Sequence, residues 1–206
     1  MNRIEQLYDE KPGATSFARG YLDYLNELFA QLDLDEIAAF IDVLLQARER
    51  DARIFFIGNG GSAATASHFA NDIAIGTRSW SRPFRALSLT DNVPVLTAIG
   101  NDYGYAEIFS SQLKALMVSG DVVVAISASG NSPNIIQAVE YANEHGAITV
   151  GLSGFDGGKL KRLARFRVHV PTNKGEYGPV EDIHMILDHL VGSFLMNKCR
   201  LDGDSN

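Results

Sequence analysis

Cysteine is almost missing from this 206-residue chain, Cys199 being the single one. That excludes an intrachain disulfide framework and a thiolate-built zinc site, and it fits a reducing compartment. Positive charge is in the minority: 18 Lys and Arg stand against 25 Asp and Glu, a formal charge of −7 and a pI near 5.2. Such a field repels nucleic acid and anionic membrane surfaces, so neither is expected as a partner, and an anionic ligand has to be held by local geometry. No apolar run approaches the roughly 20 residues that span a bilayer. The opening MNRIEQLYDE is acidic and polar, without the charged-then-apolar order of a signal region. A cytoplasmic location is the expectation. Neither Gly-x-x-x-x-Gly-Lys-[Ser/Thr] nor Gly-x-Gly-x-x-Gly is matched in full, which disfavours a nucleotide-hydrolysing or dinucleotide-binding enzyme.

What is present is a 46 % hydrophobic chain of a length suited to one globular domain with a helical extension. From Thr15 to Arg50, apolar residues recur at helical spacing, from Phe17, Tyr21 and Tyr24 to Phe40, Ile41 and Leu44. The spacing predicts two helices, the second capped by Asp33 or Asp35. Their aromatic faces need covering, either by the main domain or by another subunit.

After Arg50 short apolar runs alternate with helical stretches: Arg53–Ile57, Arg85–Leu89, Asp121–Ile126, Ala147–Leu152 and Phe166–Val170. Near-continuous apolar strands separated by helices predict a five-stranded parallel sheet buried on both faces, a three-layer α/β/α domain. Helices are expected over Ala63–Ile75, Ala106–Val118, Asn134–Glu144 and Val180–Cys199. The division expected is a helical extension over 1–50, a ligand-binding domain over 51–200 and a frayed tail over 201–206.

In parallel sheets the ligand sits beyond the carboxyl ends of the strands. Two segments there stand out. Gly58-Asn-Gly-Gly-Ser62 lies between a strand and a helix, where glycines allow close backbone approach and Ser62 offers a cap. Ser127-Ala-Ser-Gly-Asn-Ser-Pro133 brings three hydroxyls to a helix start, with Ser132 as cap and Pro133 in the first turn. Either segment alone reads as a plain turn. Two of them after strands of one sheet point to an anion cradle that needs no Lys or Arg.

The ordered set Gly58–Ser62, His68-Phe-Ala70, Leu96–Gly104, Ile126–Ser132, Gly157-Gly-Lys159 and Asp182-Ile-His184 with His189 resembles the sugar isomerase (SIS) family, most closely its phosphoheptose isomerase branch, over nearly the whole chain. The resemblance implies a cytoplasmic homotetramer with a phosphorylated sugar in the cleft. The implied activity is conversion of sedoheptulose 7-phosphate to D-glycero-D-manno-heptose 7-phosphate, in heptose and cell-surface polysaccharide biosynthesis. It places Asn59, Gly60, Gly61, Ser62, Asn101 and Asp102 against substrate and Ser127, Ala128, Ser129 and Ser132 on the phosphate loop. Ala128 stands where the family usually has Thr, so one hydroxyl is lost and the backbone N–H kept.

Aldose–ketose interconversion moves a proton between adjacent carbons through a cis-enediol and needs a carboxylate base and an acid for the oxygens. His68 and Asp72 are spaced i, i+4 and share a helix face. Glu181 and His189 are eight residues apart, about two turns with an offset near 80°. The resemblance implies that these four hold a zinc or similar divalent ion and include base and acid: Asp72 or Glu181 as base, His189 as acid. The family typically has His, Glu, Gln and His there. Asp72 and Glu181 therefore depart from its pattern, and without metal two neighbouring carboxylates should raise one pKa. A His, Asp, Glu, His set suits zinc chemically.

Several residues have simpler readings. His184 and Asp188 are expected to form a local i, i+4 hydrogen bond. His145 reads as a helix-end residue and His169 as a strand residue. Tyr103 and Tyr105 read as a loop staple, and the basic segment Arg78–Arg85 with Trp80 as a solvated connection. Outside enzymes, a non-catalytic SIS adaptor of the replication-initiator-associating type, or a phosphosugar sensor, is the alternative; the carboxylate at Asp72 favours an enzyme. An isomerase of a different phosphosugar is the third reading.

Overall fold

The computed structural model describes residues 1–203. Three helices open the chain, α1 (Arg3–Glu10), α2 (Ala14–Phe29) and α3 (Leu34–Glu49). The sequence reading anticipated the last two and missed α1, whose stop signal is a short polar stretch and whose start is a capping box between Asn2 and Glu5. Asp33 caps α3 by accepting from the backbone of Asp35 and Glu36. Gly20 inside α2 makes room for Leu7 of α1, since a Cβ there would lie 2.3 Å from the leucine Cδ1.

Five strands follow, β1 (Arg53–Gly58), β2 (Arg85–Ser88), β3 (Val122–Ser127), β4 (Ile148–Ser153) and β5 (Phe166–His169), all parallel, in the order β2-β1-β3-β4-β5. Each expected strand is present to within about a residue at each end. Between and after them run α4 (Gly61–Asn71), α5 (Val93–Asp102), α6 (Ser110–Leu116), α7 (Pro133–Glu144), α8 (Leu160–Leu163) and α9 (Tyr177–Leu201).

Side chains alternate across the sheet. Ile54, Phe56, Val122, Val124 and Ile126 face a layer built from α2, α3, α4 and α9. Phe55, Ile57, Val123 and Ala125 face α6, α7 and α8. Phe40 and Leu44 of α3 are fully buried in the first of these cores, so the N-terminal helices are covered at least in part by the sheet of their own chain. The buried Glu176, just before α9, accepts from the Arg3 backbone and the Tyr24 hydroxyl, both at 2.6 Å, and ties α1 and α2 to the start of α9.

Some elements differ from the sequence expectation. Segment 93–102 is helical because Asn92 caps it and Pro94 occupies its first turn, a signal hidden by the Gly and Asn residues at its end. The helix expected over Ala106–Val118 is split into a 3₁₀ turn at Tyr105–Glu107 and α6. The helix after the glycine-rich turn passes at Asp72 into a π-turn over Asp72–Gly76. Such turns are rare and recur at functional sites. Helix α9 begins three residues before the expected start, and Leu201 still belongs to it. Of the tail expected to fray, 204–206 lie outside the described residues.

Candidate active site

In this strand order the connections leave β1 and β3 in opposite directions, and the crevice between their carboxyl ends is where a parallel sheet receives its ligand. The two anticipated loops meet there. Asn59 and Ser62 after β1, Ile126 to Ser129 and Ser132 after β3, and Tyr177 and Glu181 of α9 line one pocket. Gly60 has φ +54 and is itself the cap of α4, so the cap expected at Ser62 is displaced by two residues and Ser62 lies buried inside the first turn. Ser132 caps α7 by position, with Pro133 following, but its hydroxyl makes no capping bond. The loop is held from within: the Gly130 N–H donates to the Ser127 hydroxyl at 3.1 Å and the Asn131 N–H to that of Ser129 at 3.3 Å.

Asn59 is locked in place. It exchanges two hydrogen bonds with Asn134 of α7, at 2.9 and 2.8 Å, and its Oδ1 also accepts from the Tyr105 hydroxyl at 2.9 Å. Tyr105 thus acts as a staple, whereas Tyr103, expected to share that role, is exposed, and Asn134 is a partner of Asn59 that the sequence reading missed. Asn101 and Asp102, expected against substrate, sit exposed at the end of α5 and bond to each other at 2.8 Å. They do not reach this pocket.

Helices α4 and α9 run side by side in the same direction, Gly61 beside Glu181 and Asp72 beside Gly192. This pairing brings three of the expected ligands together with an unexpected fourth. Ligand atoms of His68, Asp72, Asp188 and His189 all lie within 4.8 Å of one another. His68 Nε2 is 3.6 Å from Asp72 and 4.0 Å from Asp188, and the His68 and His189 rings meet edge to face at 5.0 Å. Asn71 donates to the other oxygen of Asp72 at 2.9 Å. Glu181 lies about 12 Å earlier along α9, with its carboxyl against Gly61.

The electrostatics follow this arrangement. Asp188 is fully buried, both its oxygens lack hydrogen-bond partners, and burial, with Asp72 adding repulsion, pushes its pKa up to about 7. The interacting carboxylates are Asp72 and Asp188, not the Asp72 and Glu181 of the sequence reading. Burial, and then Asp182, also raises the pKa of Glu181. His184 makes no bond to Asp188: its ring turns to the Ser153 backbone and His169, without a hydrogen bond of normal geometry, while Asp188 turns to α4. Burial lowers its pKa to about 4 and keeps it neutral.

Two imidazoles and two carboxylates, one of them buried without a partner, suit a divalent metal ion of the zinc type, so the donor set fits the group implied for the family.

The SIS domain profile matches residues 17–154. The phosphoheptose isomerase of Geobacter metallireducens is 43 % identical over 155 residues, covering 75 % of this chain and 81 % of that protein. This chain belongs to the phosphoheptose isomerase family of SIS-domain proteins. The phosphoheptose isomerase of Geobacter sp. strain M21 is 39 % identical over 90 % of this chain and 95 % of its own length. Among solved structures, the phosphoheptose isomerase from Neisseria gonorrhoeae superposes with a TM-score of 0.77 at 34 % identity, over 88 % of this chain and 95 % of that one. That from Francisella tularensis gives 0.80 at 25 % identity, over 90 % and 99 %. As a family member the chain is an aldose–ketose isomerase.

Two arginines of the basic segment Arg78–Arg85 are paired within the chain. Arg82 pairs with Glu49 and Arg85 with Asp51, both at 2.9 Å, against the end of α3. His145 ends α7 as expected, stacked on Tyr141, and His169 bonds the Ser153 hydroxyl at 3.1 Å on the edge strand.

Proposed function

We propose that this chain converts sedoheptulose 7-phosphate to D-glycero-D-manno-heptose 7-phosphate, in heptose and cell-surface polysaccharide biosynthesis. The observation that carries this reading is the meeting of the loops after β1 and β3 with Glu181 in one pocket. Backbone N–H groups and the hydroxyls of Ser127, Ser129 and Ser132, beside Ala128, receive the phosphate at the start of α7, where the helix dipole favours an anion. Asn59, Gly60, Gly61 and Ser62 meet the sugar, with Asn59 fixed by Asn134 and Tyr105.

The proton leaves C1 of the ketose for a carboxylate, an enediol forms, and the proton returns at C2. Glu181 lines the pocket, and the burial that raises its pKa makes it a better proton acceptor. Asp72 is the alternative base, and it is the carboxylate beside His189, which serves the oxygens as acid in that arrangement. His68, Asp72 and His189 would hold one zinc or similar divalent ion per subunit, which would supply charge stabilisation for oxygen anions at that end of the α4–α9 pair.

The protein acts as a cytoplasmic homotetramer in this reading, with 1–50 as a helical extension on a sugar-binding body over 51–200. Ile186, Leu190 and Phe194 support the assembly, since they form an exposed stripe along α9. Light scattering on the full chain should give four subunits; a monomer contradicts it.

The deciding experiment is solvent-deuterium exchange at C1 of sedoheptulose 7-phosphate, followed by NMR with metal-loaded protein, chelated protein, Asp72→Asn and Glu181→Gln. Exchange that is lost on chelation and in at least one carboxylate variant supports the isomerase. No exchange in any sample overturns it in favour of a binding module or another phosphosugar.

A further inference from the structure

Asp188 presents a problem that the proposed chemistry leaves unsolved. It is a carboxylate with 0 % exposure, one residue before His189, and neither oxygen accepts a hydrogen bond. A buried charge without a partner is costly and is retained only where something compensates it. Its polar surroundings are His68, 4.0 Å away, His189 and a second carboxylate, Asp72. Neither imidazole donates a hydrogen bond to Asp188, so neither compensates it. A divalent cation compensates both carboxylates, and it can only sit where these groups converge.

The separations agree. Donor atoms around a tetrahedral ion with bonds near 2.1 Å stand on the order of 3.4 Å apart. The four atoms here lie within 4.8 Å of one another, so modest side-chain rotation closes the cage. Glu181 cannot take part without leaving its place, because its carboxyl fills the space over Gly61, about 12 Å back along the helix.

We propose that Asp188 is the fourth ligand of a divalent-cation site completed within one chain by His68, Asp72 and His189, and that Glu181 is not a ligand and stays free in the sugar pocket. The proposal rests on the metal reading given above. It assigns the two carboxylates of the cluster to the ion and separates them from the one that faces the sugar. Two anionic ligands make the loaded site neutral overall, which favours retention of the ion.

The test is titration of the full-length, metal-stripped protein with Co²⁺, followed by visible absorption and calorimetry. Wild type should bind one ion per chain with the intense bands of tetrahedral cobalt. Asp188→Asn should weaken binding on the order of a hundredfold and change those bands, whereas Glu181→Gln should leave both affinity and spectrum unchanged. Asp188→Cys adds a positive signature, a near-ultraviolet thiolate-to-cobalt band absent from wild type. It keeps the test decisive should Asp188→Asn fold poorly. Loss of binding in Glu181→Gln, or no thiolate band in a folded Asp188→Cys that binds cobalt, overturns the assignment while leaving a metal site intact. Failure of wild type to bind any cobalt overturns the metal reading itself.

Discussion

A Cβ placed on Gly61 would stand 2.3 Å from Oε2 of Glu181, so the glycine-rich turn and the pocket carboxylate share one small volume. Gly61 is the first residue of α4 and does not have positive φ, so alanine there is tolerated by the backbone. The end of the Glu181 side chain must move instead. Gly61→Ala should keep the melting temperature within a few degrees and lower turnover on the order of a hundredfold, the usual penalty for misplacing a reacting group by an ångström. Unchanged turnover in steady-state kinetics would remove Glu181 from the chemistry.

The phosphate loop makes a different demand. Gly130 has φ +60, and a Cβ on it would lie 2.1 Å from the Gly157 carbonyl oxygen, which is backbone and cannot swing aside. Its own carbonyl accepts from Leu160 at 2.9 Å. Gly130→Ala should therefore lift the loop off the β4–α8 connection. It should raise KM for the sugar phosphate more than tenfold and destabilise the protein by about 1–3 kcal/mol. Thermal denaturation with and without inorganic phosphate reads both effects, and a variant still stabilised by phosphate would contradict this role of the loop.

These two contacts show what a sequence can reveal about the site and what it cannot. The strands were legible because Ile54 to Ile57 and Val122 to Ile126 are continuous apolar runs, the mark of a sheet covered on both faces. The loop after β3 was legible as a candidate anion cradle because its hydroxyls and glycine cluster between a strand and a Pro-started helix. The pairing of α4 with α9 was not, since it depends on tertiary packing between segments about 120 residues apart. Reading α9 alone placed Glu181 and His189 two turns apart with an offset near 80°, and nothing in that spacing says which of them meets His68 and Asp72. Asp188 sat in a local i, i+4 pattern with His184 that suggested a hydrogen bond, and only the packing shows that the two side chains turn to different neighbours. Asn134 carried no signal, being one of two asparagines around a helix start.

Asn134 has a measurable consequence. It holds Asn59 through two reciprocal hydrogen bonds, whereas Tyr105 contributes one. Net values near 1 kcal/mol per bond predict that Tyr105→Phe lowers kcat/KM several-fold and Asn134→Ala lowers it further. Neither residue touches the phosphate loop's hydroxyls in this arrangement, so the affinity for inorganic phosphate should stay constant in both variants. Equal loss of phosphate affinity would show that the network supports the loop and not Asn59.

His184 makes acid stability a readout of packing. Its imidazole is fully buried with a pKa near 4, against about 6.5 in an unfolded chain. Between those values the unfolded state takes up a proton that the folded state refuses, so this contribution is fully present above pH 6.5 and is lost as pH falls towards 4. The limit is about 3 kcal/mol. His169, whose pKa burial also lowers, acts with the same sign. In metal-free protein Asp188, raised to about 7, acts oppositely, since its folded form gains a proton first on acidification. The net profile of wild type is therefore shallow, and the histidine is seen by difference. Urea denaturation of chelated wild type and His184→Leu at pH 7, 5.5 and 4.5 should show the variant gaining on wild type at each step down. A difference independent of pH would mean that His184 takes up its proton at the same pH in the folded and unfolded chains, so that burial does not hold it neutral.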